Sequence, residues 1–108
     1  VSTPVLISDR DHIISCAGVS KKDFLDRRIS SDLEKIMEER QLYTGDREKQ
    51  LFPVDGIDYG ASIAAPIIGN GDILGAVVFL WSDGSKISPT EIKLAQVAAS
   101  FIGKQMEN

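Results

Sequence analysis

Residues 73–81 are apolar at nearly every position and follow directly on Gly69, Asn70, Gly71 and Asp72, the strongest turn signal in the chain. Asn and Gly tolerate the positive φ that tight hairpins demand, so two strands are joined there. A strand with one wet face alternates apolar and polar residues. This one does not, and it is therefore expected at the centre of a sheet with both faces covered. The run is also only about half of the ~20 residues that a membrane-spanning helix needs. With 108 residues, 43% of them hydrophobic and 26% charged, the chain has the composition of one globular domain over residues 1–108.

The remaining elements follow from local signals. Val5, Leu6 and Ile7, a polar turn at Asp9, Arg10 and Asp11, and a β-branched stretch over residues 12–17 read as a hairpin that Gly18 ends. Ser20 with Asp23 marks a short helix whose apolar side carries Phe24 and Leu25. Ser31 and Glu34 have the spacing of a capping box, which predicts a helix over residues 31–42 with Leu33, Ile36 and Met37 inward. A loop over residues 44–50 leads to a modest strand at residues 50–54, with Pro53 at a sheet edge, and a turn at Asp55, Gly56 and Ile57. Residues 59–68 read as a long strand in which Gly60, Ala61, Ala64 and Ala65 admit a second layer, and Pro66 forces a bulge or a gap in the ladder.

After a break at Ser82, Asp83, Gly84 and Ser85, Ser88 is a helix cap, Pro89 stands at N1 and Glu91 at N3. The helix that follows carries Ile92, Ala95, Ala99, Ile102 and Met106 on one stripe, with Leu94, Ala98 and Phe101 beside it. That apolar face is too wide for one sheet contact. Ala95, Ala98 and Ala99 let helices approach closely, which predicts a homo-oligomer, dimer or tetramer, through Ile92, Ala95, Ala99, Phe101, Ile102 and Met106. Strands joined by hairpins, with helices to cover them, make the fold class α+β with an antiparallel sheet of about five strands.

Twelve basic against sixteen acidic side chains give a net charge of -4, the wrong sign for a surface that neutralises phosphates. The single cysteine, Cys16, forms no internal disulfide and lies in a β-like stretch where a thiol is a small apolar group, pointing to a reducing, cytoplasmic setting. His12, the one histidine, reads as a surface residue beside a turn, since a general base needs partners. No Ser, His and Asp set has a recognisable context, so no catalytic residues, metal or cofactor are expected. The chain opens on Val1 with no charged-then-apolar leader, and is expected to be a non-exported, non-membrane fragment of a longer protein.

Residues 5–11 taken with residues 64–77 resemble a GAF domain, a PAS- and profilin-like fold. Ser8-Asp9-Arg10-Asp11-His12, Gly18-Val19-Ser20-Lys21-Lys22 and Gly69-Asn70-Gly71-Asp72 are closer matches. They resemble the C-terminal GAF domain of sporulation transcription regulators of the stage V sporulation T family, over almost the whole chain. The resemblance implies a regulatory and oligomerisation domain that senses a small molecule. It also implies that DNA is bound only through an N-terminal domain of the transition-state-regulator type, outside this chain. A leading helix would normally precede the first strand and pack beside the last helix. GAF-type methionine sulfoxide reductases need further cysteines that this chain lacks.

Two readings of a ligand site stay open. Amides at the Ser20 helix start with Lys21 and Lys22 suit an anionic ligand, or are a cap with solvated lysines. Tyr59, Phe52 and Pro66 line a pocket between sheet and loops, or are plain core. Gly69 and Gly71 lie between strands, so the hairpin explains them without phosphate. The expected function is a sensing and oligomerising regulatory domain; the alternative is a purely structural dimerisation module with no ligand. A space packed solid between the sheet and residues 18–25 would favour the second.

Overall fold

The structure, a computed structural model, describes residues 3–82 and 86–107, so the expected break at Asp83, Gly84 and Ser85 lies outside it. The described residues form β1 (Val5–Ser8), β2 (Ile13–Ala17), α1 (Lys21–Phe24), α2 (Ser31–Glu39), β3 (Tyr43–Thr44), β4 (Ala61–Gly69), β5 (Asp72–Leu80) and α3 (Pro89–Gln105). The strands make one antiparallel sheet in the order β2-β1-β5-β4-β3, with the apolar β5 in the middle.

Each face of the sheet holds a core. On one face Leu6, Ala64, Ala76, Val78 and Leu80 pack with Phe24 of α1 and with Leu33, Ile36 and Met37 of α2. On the other, Ile63, Ala65, Ile67, Val77 and Phe79 pack against Ala95 and Ala99 of α3. Consecutive residues of β5 thus serve opposite layers, which is why the strand is greasy throughout. Fully burying a Leu or Phe of this kind contributes about 1.5–3 kcal/mol.

Local chemistry sets the element ends. Ser88 Oγ accepts from the Glu91 amide at 3.1 Å, and Pro89 occupies the first turn of α3 as the sequence predicts. The β4–β5 turn has Asn70 at φ 53 and Gly71 at φ 80, the positive-φ pair its residues called for.

Three expectations are corrected. The cap of α2 is Ser30, not Ser31: its hydroxyl accepts from Leu33 N at 3.2 Å and donates to Phe52 O at 2.6 Å. The helix also stops at Glu39, because Arg40 turns into the left-handed region at φ 57. Residues 50–54 form no strand. Their carbonyls are used by neighbours instead, Pro53 O taking the Ser30 amide and Leu51 O the Ala61 amide, while the two-residue β3 flanks β4.

Pro66 itself pairs in register with Ala76, while the ladder shifts just beyond it, at Ile67/Ile68, and also at Ala61/Ile63. Trp81 N bonds Gly60 O on the β4 side and Leu80 N bonds Pro4 O on the β1 side. Alternation along β5 then turns the polar groups of Ala76 toward β1. Its partner Pro66 consequently has its missing N–H on the side away from β5, beyond the reach of the short β3, where an edge tolerates proline.

Candidate functional site

Two turns and one helix converge on the α2 face to form a cavity of about 520 Å³, lined by Arg10, Asp11, Glu34, Met37, Glu38, Arg40, Asp72 and Ile73. The β1–β2 turn places the first two. Asp9 Oδ1 accepts from the amides of Asp11 at 2.8 Å and His12 at 2.7 Å, and Asp9 N donates to His12 O at 3.0 Å. Burial pulls the Asp9 carboxyl upward, but the His12 and Asp11 amides, together with the nearby His12 side chain and Asp9's own amide, hold the group below its usual value of 3.8.

Glu34 and Glu38 stand one turn apart on α2, with Met37 between them reaching into the core. Asp72 and Ile73 open β5 just after the tight turn. The cavity therefore has an apolar floor of Met37 and Ile73 and a rim of exposed charges, four carboxylates against two guanidinium groups. Arg40 Nη1 donates to Gly71 O at 2.6 Å. The rim is net negative, so its field attracts cations more than anions. Among the described residues, no group of three or more His, Cys, Asp or Glu is placed to hold a metal ion.

The expected ligand residues are not gathered in one place. Ser20 caps a helix of four residues without a side-chain hydrogen bond, and Lys21 and Lys22 are exposed. Tyr59 packs edge-on against Phe24, ring centroids 6.2 Å apart, and Phe24 is buried in the core. The space between sheet and α1 is filled at that point. Pro66 lies elsewhere, in a cleft of about 310 Å³ between β4 and α3 with Arg40, Leu42, Gln96, Ala99 and Ser100. Phe52 is half-buried and gives its carbonyl to Ser30. Cys16 is a free, half-buried thiol against the α2-side core, and His12 is exposed.

The six expected oligomer residues divide between two sides of α3. Ala95 and Ala99 are buried against the sheet of their own chain, and Ile92 and Ile102 are half-buried on the same core. The small-residue stripe thus lets α3 approach its own sheet. Phe101 and Met106 are open at 63% and 45%, and they are joined by Leu94 at 56% and Val97 at 54%. Leu94, Val97 and Phe101 recur at i, i+3 and i+7, a continuous apolar flank. Sequence reasoning placed Leu94 only beside the stripe and passed over Val97.

Comparison with known proteins decides the family. The family model described as stage V sporulation protein T C-terminal, transcription factor, matches residues 1–107. The chain belongs to this family. Within the stage V sporulation protein T family, the protein of that name from Bacillus subtilis (strain 168) is 40% identical over 105 residues, 95% of this chain and 58% of the relative. The chain thus spans a little over half the length of that relative. The α+β sheet and its three described helices are the form this family's C-terminal sequence takes here. No described helix is long and apolar enough to cross a membrane.

Proposed function

We propose that this chain is the regulatory domain of a sporulation transcription regulator, that its sheet and helices are a GAF-like domain, and that it works by self-association through α3. The family match supports the regulatory half of this reading. One observation carries the other half: Leu94, Val97 and Phe101 are three large apolar side chains on one flank of the last helix, each more than half exposed. A contiguous exposed apolar stripe is the mark of an interaction surface, and a self-complementary stripe forms a twofold helix pair. In this reading DNA is contacted by the part of the full-length protein outside this chain, since the -4 charge here repels it.

The test is made in the full-length protein. Phe101→Glu with Leu94→Glu is expected to lower both the oligomeric mass and the affinity for target DNA. DNA binding that is unchanged while the oligomer dissociates would contradict a regulatory role for the assembly.

A second reading, small-molecule sensing, is favoured by the charged cavity over Met37 and Ile73. A ligand bound to the folded state raises the unfolding midpoint. A metabolite panel weighted toward amines and zwitterions is expected to yield a thermal shift that Asp72→Asn and Glu38→Gln together remove. Absence of any shift favours the structural module, to which the packing of Phe24 against Tyr59 already lends support.

A further inference from the structure

Arg40 borders cavities on both faces of the sheet. It lines the charged cavity with Asp72 and Glu38 on the α2 side, and the cleft with Pro66, Gln96 and Ser100 beneath α3 on the other. It is also the left-handed residue that closes α2, and its guanidinium holds Gly71 O at 2.6 Å in the β4–β5 turn. The last turn of α3 and Glu107 just beyond it meet that same turn from the opposite side. Glu107 Oε2 accepts from Asn70 N at 3.1 Å, and a Cβ on Gly69 would stand 3.0 Å from Gly103 O.

We propose that Arg40 and the β4–β5 turn couple the charged cavity on the α2 face to the seating of the C-terminal end of α3. The guanidinium has competing acceptors. A neutral carbonyl, Gly71 O, holds it now, while the carboxylates of Asp72 and Glu38 line the same cavity. Hydrogen bonds to an ionised acceptor are roughly twice as strong as neutral ones. A change of charge in the cavity is therefore expected to alter how firmly Arg40 holds Gly71 O. Release of Gly71 loosens Asn70 and with it the hold on Glu107. The coupling is reciprocal, as linkage requires, so loosening the end of α3 also frees Arg40. It stands on these contacts whether or not a ligand occupies the cavity, and its failure would leave the regulatory reading intact.

Amide hydrogen exchange on the intact protein tests it. Arg40→Gly suits the positive φ and removes the guanidinium, and with it the grip on the turn. Exchange is expected to rise several-fold at Asn70 and over residues 103–107, with the β5 amides as protected as before. Glu107→Ala is expected to raise exchange at the Arg40 amide, which bonds Met37 O, and Glu39→Ala to change neither region. Unchanged exchange over residues 103–107 in Arg40→Gly, or a rise shared equally by β5, would overturn the proposal.

Discussion

Gly103 of α3 rests against the main chain of Ile68 on β4, whose carbonyl oxygen would clash with a Cβ on residue 103. The helix is seated this deeply because Ala95, Ala99 and Gly103 present a near-flat stripe, i, i+4 and i+8, to the sheet.

Gly103→Ala is accordingly expected to destabilise. Overpacking a tight contact costs about 1–3 kcal/mol, and the better helix propensity of Ala returns about 1 kcal/mol of that. The net loss is expected as a lower urea midpoint with an unchanged slope. A gain in stability would mean that α3 does not sit on β4 as described.

Ser30 and Ser31 are adjacent, yet only Ser30 is built into the fold, accepting from Leu33 N and donating to Phe52 O. Ser30→Ala loses a helix cap worth about 1 kcal/mol and strands the Phe52 carbonyl; Ser31→Ala, at an exposed first-turn position, is expected to be near neutral. Equal effects in chemical denaturation would restore Ser31 as the cap.

That pair shows where the sequence was legible. The Ser88-Pro89-Glu91 start, the Asn70-Gly71 turn and the central place of β5 were each written in a few contiguous residues, and each stands in the fold. At the start of α2 the spacing of Ser31 and Glu34 pointed to Ser31, whereas the cap is Ser30, whose hydroxyl is also held by Phe52 O, 22 residues away. The strand expected at residues 50–54 failed for a related reason: the carbonyls of Leu51 and Pro53 bond single amides of distant residues rather than a neighbouring strand.

The charged cavity was harder to read, because Arg10 and Asp11, Glu34 and Glu38, and Asp72 come from three separated elements and form no motif in the chain. The width of the apolar face on the last helix was visible. Which of its flanks the sheet covers was not, since that depends on how closely Ala95, Ala99 and Gly103 approach β4.

Asp9 ties the β1–β2 turn to pH. Its carboxyl lies below the usual value of 3.8 when folded, so it contributes stability that is present above that value and lost as pH falls through the lower, folded one. Asp9→Asn keeps an acceptor oxygen for the Asp11 and His12 amides but no longer titrates. Its stability is expected to fall less steeply than that of the parent below pH 3.8. Parallel acid-denaturation curves would show that the carboxylate's charge does not matter to the turn.

Sedimentation equilibrium of the protein, with and without Phe101→Glu, tests self-association through α3 most directly. A reversible dimer or larger assembly is expected, which the substitution converts to monomer while circular dichroism stays close to that of the parent, since Phe101 is 63% exposed in the single chain. A parent protein that is monomeric at every concentration, or an assembly indifferent to Phe101→Glu and Leu94→Glu together, would contradict it.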